Sequence, residues 1–131
     1  HLRDRFERIV GLEWDHRAVE AARRDAAPHE EYLCGDVGAL LPDALARLPA
    51  EGGVLIVDPP AEGLAGPVRA AVAALPPAEM IYVSCNPATL ARDLGALRSA
   101  YGIASVTPLD MFPQTAEIEA VVHLRRRGAP V

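Results

Sequence analysis

The stretch Gly53-Val54-Leu55-Ile56-Val57-Asp58 is almost continuously apolar and ends in an acid that two prolines follow. A run of this kind predicts a strand buried on both faces of a sheet. A second run, Met80-Ile81-Tyr82-Val83-Ser84, has the same character, and residues 67–75 between the two have a helical pattern. The order strand, helix, strand predicts parallel strands with helices packed on the faces of the sheet.

The same alternation continues toward the N-terminus. Residues 8–13 read as a strand that ends in an acid, and residues 15–27 read as an amphipathic helix. A short strand over residues 32–34 and a helix from about residue 40 to 48 follow. Together with the central runs, this pattern predicts an α/β fold with a mostly parallel sheet.

The C-terminal third has a different pattern. Asn86 and Pro87 suit the N-cap and first position of a helix that reaches about residue 100. Residues 103–109 and 117–124 then read as two strands joined by a loop of a few residues. A connection this short predicts a C-terminal antiparallel pair of strands.

Composition and charge limit the class of protein. The chain has 131 residues, of which 50% are hydrophobic and 24% charged, as in one compact globular domain. No apolar run reaches the roughly 18–20 residues that span a bilayer, so we expect no membrane segment and a cytoplasmic location. The net charge of −5 argues against this chain alone gripping a nucleic-acid backbone. Two cysteines are too few for a disulfide framework or a four-cysteine metal site.

Four candidate site residues follow the predicted strands: Glu13, Asp36, Asp58 and Cys85. Ligands of open α/β sheets bind at the carboxyl ends of the strands, so we expect these side chains along one rim. Glu13 suits a ribose diol, although a solvated acid at a strand end is equally consistent with its position. Asp36 could accept a hydrogen bond from an adenine amine or cap the next helix, and spacing alone does not separate these roles.

The segments around Asp58 and Cys85 are the most informative. Pro59 and Pro60 give Asp58 a rigid, extended backbone that presents its carboxylate with little ordering cost. Cys85 lies at a strand end and at a helix N-terminus, where the dipole and free backbone N–H groups favour a thiolate. Cys34 lacks this context and is predicted to be a small buried apolar side chain.

Three ordered motifs carry a resemblance to a known family. They are Asp58-Pro59-Pro60, the run from Tyr82 to Leu94 with Ser84-Cys85-Asn86-Pro87, and Asp110-Met111-Phe112-Pro113-Gln114-Thr115 with Glu119 shortly after. Together they resemble the C-terminal catalytic part of the RNA uracil-5-methyltransferases. The resemblance implies a Rossmann-like class I methyltransferase fold, S-adenosylmethionine as cofactor and ribosomal or transfer RNA as substrate.

The resemblance also implies a role for each candidate. Cys85 matches the family's nucleophile, which adds to carbon 6 of uracil and makes carbon 5 nucleophilic. Glu119 matches the base that removes the carbon-5 proton after methyl transfer. Asp58 matches an acid that contacts the cofactor and pyrimidine region, and Glu13 and Asp36 match positions that bind the cofactor's ribose and adenine ends.

Two positions depart from the family pattern. Ala61 stands where an arginine usually follows the two prolines, and Glu117 stands where many members have a histidine. Acid-proline-proline motifs also occur in amino-methyltransferases, but those generally have an aromatic residue at the position of Ala61 and do not need Cys85. A non-catalytic truncated remnant or interaction module of a uracil-5-methyltransferase is the alternative to an active enzyme.

The family's first strand and glycine-containing cofactor loop have no counterpart in the sequence. We therefore expect residues 1–131 to form a partial methyltransferase catalytic domain. The strands that start near Arg8 and Gly53 would then each have an unpaired edge, which is a liability for a sheet. We expect these two strands to pair with each other or the sheet to be completed by another chain.

Overall fold

The computed structural model describes residues 2–111, 113–114 and 118–128 of the chain. All six strands predicted from the sequence are present: Ile9–Glu13 (β1), Glu30–Cys34 (β2), Val54–Val57 (β3), Glu79–Ser84 (β4), Tyr101–Leu109 (β5) and Glu119–Arg126 (β6). The α-helices are His16–Arg24 (α1), Val37–Ala46 (α2), Gly66–Ala74 (α3) and Pro87–Leu97 (α4), and a short 3-10 helix spans Leu2–Arg5. The chain divides into two compact units, residues 1–44 and residues 45–131.

The first unit contains a two-stranded parallel sheet of β1 and β2 with α1 as the crossover helix. Asp15 caps α1 by accepting a hydrogen bond from the Arg17 N–H at 2.8 Å, and Val19 is the buried residue of this helix. Helix α1 ends at Arg24, three residues before the predicted end. The reason is the turn into β2, in which the N–H of Ala27 donates to the Glu30 carboxylate at 2.7 Å.

The second unit contains a four-stranded mixed sheet in the order β3-β4-β6-β5. Strands β3 and β4 are parallel, and α3 connects them. Strand β6 lies between β4 and β5 and is antiparallel to both. The predicted C-terminal antiparallel pair is therefore confirmed, as is the combination of parallel strands and helices.

The core of the second unit lies along β4 and β6. Met80 and Tyr82 of β4 and Val122 of β6 are completely buried, and Leu124 of β6 is 1% exposed. Met80 is opposite Leu124 and Tyr82 is opposite Val122 in the antiparallel register, so the buried side chains pack as cross-strand pairs. In β6 the buried Val122 and Leu124 alternate with the half-buried Val121 and His123.

Strand β3 is less buried than its sequence predicts. The prediction that both of its faces are covered is wrong, because the Ile56 side chain is 49% exposed. Within the described residues of its unit, β3 is an edge strand with β4 as its one neighbour. The apolar run therefore has fewer covering groups than an interior parallel strand would have.

The prediction that the first and third strands pair with each other is also wrong. Strand β1 belongs to the two-stranded sheet and β3 to the four-stranded sheet. Each pairs instead with the strand that follows its own crossover helix, which is the local way to form a parallel pair. Among the described residues, β1 and β3 each keep one unpaired edge.

Helix α2 begins three residues before the predicted start, so that Pro42 lies inside the helix and not in its first turn.

Glu117 and part of the predicted loop 110–115 lie outside the described residues. No helix in the described part of the chain is long and apolar enough to cross a membrane.

Candidate functional site

Three of the predicted site residues lie at one end of the four-stranded sheet. Strand β4 ends at Ser84, which is opposite Ala120 of β6 in the antiparallel register. Strand β6 begins at Glu119, so Cys85, directly after β4, and Glu119 lie at the same end of this pair of strands. Asp58 directly follows β3, which runs parallel to β4 and ends at the same side. The topology of the second unit therefore places two carboxylates and a thiol at the same end of the four-stranded sheet.

A cavity of about 300 Å3 opens beside Cys85. Its lining residues are Ser84, Cys85, Pro87, Ile118 and Ala120. The volume is at the lower end of the roughly 300–1,000 Å3 that small-molecule sites occupy. Cys85 and Asp58 are exposed and Glu119 is half-buried, so reagents in solution can reach all three.

Asn86 caps α4, as the sequence predicts. Its side-chain oxygen accepts from the N–H of Ala88 at 3.0 Å and of Thr89 at 3.4 Å, while the Leu90 N–H donates to its carbonyl. Pro87 has no N–H to offer. The expectation that free N–H groups of this helix turn stabilise a Cys85 thiolate is therefore wrong, because the cap uses them, and the helix dipole remains.

Ser84 holds the backbone on both sides of the cysteine. Its hydroxyl accepts from the Asn86 N–H at 3.1 Å and donates to the Asn86 carbonyl at 3.0 Å. Ser84 is 5% exposed, so this pair of bonds forms in a largely water-free place. Cys85 lies between the two bonded residues and is presented at the tip of a fixed turn.

The loop after the two prolines is docked on α4. The carbonyl of Ala61 accepts from the Asn86 side-chain amide at 3.1 Å and from the Thr89 hydroxyl at 2.9 Å. Ala61 thus contributes through its backbone, which any residue type would supply at this position. The same helix that begins next to Cys85 therefore holds the loop that leaves Asp58.

A buried carboxylate, Asp93 of α4, completes this attachment. Its Oδ2 accepts from the Leu64 N–H and from the Tyr82 hydroxyl, both at 2.7 Å. Its Oδ1 accepts from Arg69 at 3.1 Å and from two nitrogens of Arg92 at 3.0 and 2.9 Å. Asp93 is fully buried and every polar atom of its carboxylate has partners.

The environment fixes the protonation states in this cluster. Burial alone would raise the pKa of Asp93, but the hydrogen bonds from Tyr82 and Leu64 and the Arg92 guanidinium outweigh it and lower that pKa. Burial, together with the bond to the Asp93 carboxylate, raises the pKa of Tyr82 above its usual value. Asp93 is therefore an anion and Tyr82 a neutral donor at neutral pH.

The other two candidates, Glu13 and Asp36, belong to the first unit. Glu13 ends β1, and its Oε1 accepts from the Asp15 N–H at 2.9 Å. Asp36 follows β2 and accepts from the Ala39 N–H at 3.0 Å, so the capping role that the sequence left open is observed. The Gly35 N–H donates to the Glu13 carbonyl at 3.0 Å, which brings the two acids to the same end of the two-stranded sheet.

The prediction that Cys34 is buried is wrong. Cys34 is exposed, and its thiol lies 3.6 Å from the carbonyl of Trp14. It is the last residue of β2, opposite Glu13, where no element of the described part of this unit covers it. Both cysteines of the chain are therefore accessible from solution.

Sequence reasoning did not single out Arg69 or Asp93. Asp93 appears in the sequence as an ordinary helical acid next to an arginine, and Arg69 lies in a separate helix. Their interaction joins positions 24 residues apart, and a local pattern gives no signal for it. No group of three or more His, Cys, Asp or Glu side chains within the described ranges could hold a metal ion.

Comparisons with known sequences identify a family for most of the second unit. Residues 50–127, more than half of the chain, match the family model for tRNA (uracil-5-)-methyltransferases. Uncharacterized RNA methyltransferases of Protochlamydia amoebophila and Gloeobacter violaceus are 39% and 42% identical to it. Each alignment covers 90% of this chain but only 28% and 26% of the relative. The chain thus spans little more than a quarter of the length of these relatives.

Solved structures of methyltransferases also match this chain. The tRNA (uracil-54, C5)-methyltransferase of Pyrococcus abyssi, solved with S-adenosyl-L-homocysteine, is 31% identical, with a TM-score of 0.75 over 94% of this chain and 30% of that one. The N-methyltransferase NodS of Bradyrhizobium japonicum is 16% identical, with a TM-score of 0.63 over 92% of this chain and 67% of its own, which shows the fold alone. The fold is that of class I methyltransferases, and the chain belongs to the tRNA (uracil-5-)-methyltransferase family.

Proposed function

We propose that the protein that contains this chain methylates carbon 5 of uridine in ribosomal or transfer RNA, in the cytoplasm, with S-adenosylmethionine as methyl donor. Residues 1–131 would be part of its catalytic domain. The observation that carries the proposal is that Cys85 and Glu119 lie at the same end of the neighbouring strands β4 and β6, with a cavity beside Cys85. Family membership and the structural likeness to a tRNA uracil methyltransferase support it.

The first step in this proposal is addition of the Cys85 thiolate to carbon 6 of the uracil ring. Carbon 5 of uracil is a poor nucleophile toward a methyl sulfonium. When a sulfur–carbon bond forms at carbon 6, the electrons of the 5,6 double bond move toward the ring carbonyl and make an enolate. Carbon 5 is then nucleophilic, and Cys85 is the residue whose place allows the attack.

The second step is methyl transfer, for which the bound cofactor supplies an electrophilic methyl group. Carbon 5 then carries both the new methyl group and its original proton. The Glu119 carboxylate accepts that proton, the electrons restore the 5,6 double bond, and the bond between Cys85 sulfur and carbon 6 breaks. The thiolate is released, and the product is 5-methyluridine.

The acids at the strand ends have the chemistry that the cofactor needs. Glu13 and Asp36 each use one carboxylate oxygen for a local backbone N–H, which leaves the second oxygen of each free of protein donors within the described residues. A ribose diol and an adenine amine both require acceptors of this kind. Asp58, exposed at the end of β3, would contact the cofactor and pyrimidine region.

Trapping with 5-fluorouridine tests this function. The chain, extended upstream, is incubated with S-adenosylmethionine and with transfer or ribosomal RNA that contains 5-fluorouridine. Fluorine at carbon 5 cannot leave as a proton, so we expect a covalent protein–RNA complex that survives denaturation. Cys85→Ala should abolish the complex. Cys34→Ala is the matched control, since it removes the chain's other exposed thiol, and it should leave the yield unchanged.

Two results would overturn the proposal. One is the absence of any complex with the parent protein on either class of RNA, which would favour a non-catalytic remnant. The other is a complex that persists in Cys85→Ala. The class of RNA that forms the complex identifies the substrate.

We also propose that another chain completes the sheet at β3. Strand β3 pairs on one side with β4, and its other edge presents backbone N–H and C=O groups without a strand partner among the described residues. Such an edge favours pairing with a further strand. We expect sedimentation to show species heavier than the 13.9 kDa monomer, with slow hydrogen exchange at the outer N–H groups of β3. A monomer with fast exchange at these groups would contradict the pairing.

A further inference from the structure

The segment that carries Asp58 is held at both ends. One end is β3, which pairs with β4, and the other is residues 61–64, whose backbone is bound by α4. Between the two ends, Pro59 and Pro60 have restricted backbone torsions and no N–H to donate. The place of the Asp58 carboxylate therefore depends on how residues 61–64 are held.

Most of the hydrogen bonds that hold residues 61–64 are made by Asp93 or by an arginine that Asp93 binds. Asp93 binds the Leu64 N–H directly, and it also orients two guanidinium groups. Arg69 donates in turn to the Leu64 carbonyl, and Arg92 donates to the Glu62 carbonyl at 2.7 Å. One buried carboxylate thus organises donors and acceptors along the whole second half of the loop.

The cluster gives more than stability. Well-packed apolar side chains often stabilise a core as well as a buried ion pair does, because the charges lose hydration on burial. The charged cluster adds specificity, since its hydrogen bonds are all made in one arrangement of the loop only. The free energy lost when these charges are buried is consistent with a requirement for precise placement of the neighbouring residues.

Gly63 shows how closely the loop fits over this carboxylate. Its φ of 76° is in the left-handed region, and an added Cβ would lie 2.6 Å from the Asp93 Oδ2 and 2.7 Å from an Arg92 nitrogen. At either distance the loop or the contacted side chain must shift. The loop and the cluster are therefore complementary in shape as well as in charge.

We propose that Asp93 is a positioning residue that sets the place of Asp58 relative to Cys85 by anchoring residues 61–64. This inference rests on the proposed function, because it assigns Asp58 a role in that reaction. Asp93 is fully buried and both of its carboxylate oxygens bind protein groups, so it offers no surface to RNA or cofactor. Its effect on the reaction passes through the loop.

A double-mutant cycle between Asp93→Asn and Asp58→Asn tests the inference in the upstream-extended protein. An Asn side chain would point an amide donor or an uncharged oxygen at the two guanidinium groups and release the loop. A misplacement of about 1 Å near the reacting groups costs about 100-fold in rate, so we expect kcat/KM for methylation to fall by about 100-fold. If Asp93 acts through Asp58, the double variant should lie within about twofold of the worse single variant.

The control variant is Leu97→Val, at the last residue of the same helix, one turn beyond Asp93. Leu97 is 1% exposed, so the change lowers stability without removing any hydrogen-bonding group of the cluster. We expect it to leave kcat/KM unchanged below the unfolding temperature. It should also leave hydrogen exchange of the Leu64 N–H unchanged, whereas Asp93→Asn should accelerate that exchange at least tenfold.

Gly63→Ala provides a second perturbation of the same contacts, because the added methyl group would collide with the Asp93 and Arg92 side chains and strain the backbone at a φ of 76°. When Gly63→Ala is combined with Asp58→Asn, kcat/KM of the double variant should also lie within about twofold of the worse single variant. If the parent protein methylates RNA but the losses of kcat/KM from the single variants multiply in both cycles, the inference is overturned and the proposed function stands. A parent protein that does not methylate would overturn both.

Discussion

Glu119→Gln stops the proposed reaction after methyl transfer, with turnover expected to fall by about 100- to 10,000-fold while covalent complex accumulates on natural RNA. A glutamine side chain cannot accept the carbon-5 proton, so the bond between the Cys85 sulfur and carbon 6 is not released. Denaturing electrophoresis measures the trapped complex. Mass spectrometry of its nucleotide should show one added methyl group.

Glu79→Gln is a suitable control for that experiment. Glu79 is also a half-buried carboxylate of the four-stranded sheet, but it begins β4 at the far end and contacts His123 at 2.6 Å. It should therefore keep normal turnover. Normal turnover in Glu119→Gln, or a loss of turnover with no trapped complex, would show that another group removes the proton.

Leu124→Ala should produce the largest loss of stability among substitutions that leave the site untouched. Leu124 is 1% exposed in β6 and lies opposite Met80 on one side and Ile103 on the other. Removing its branched side chain leaves a cavity, which costs about 2–5 kcal/mol of unfolding free energy. Urea denaturation measures this difference.

Val106→Ala in the neighbouring strand β5 provides the comparison. Val106 is 56% exposed, so its truncation removes few packed contacts and should cost less than about 1 kcal/mol. Equal losses in the two variants would mean that the β4–β6 face is not the core of this unit.

Local features of the sequence predicted much of the fold and part of the site. The apolar runs that end at Asp58 and Cys85 set the strands, and Asn86 followed by Pro87 set the start of α4. Each of these signals depends on neighbouring residues only. Cys85 and Glu119 lie at the same end of the sheet because β4 and β6 are antiparallel neighbours, and the sequence analysis predicted only the pairing of β6 with β5.

The features that sequence reasoning missed depend on partners that are distant in sequence or on how the surrounding elements bury a side chain. Cys34 and Ile56 look buried by residue type, but in the described structure the elements around them leave them exposed. The N–H groups that were expected to face the Cys85 sulfur are used by the cap of the same helix. The Asp93 cluster joins residues 11 to 29 positions apart, and only the folded chain brings them together.

The exposure of both cysteines makes the chain convenient for spectroscopy. With Cys34→Ala, a single accessible thiol remains, and it lies at the end of the sheet beside the cavity. A fluorophore or spin label attached there would occupy the proposed nucleophile and the cavity beside it, so its rate of attachment measures access to the cavity, and labelling should block formation of the covalent complex. Conversely, labelling at Cys34 in a Cys85→Ala background would report on the end of the two-stranded sheet where Glu13 and Asp36 lie.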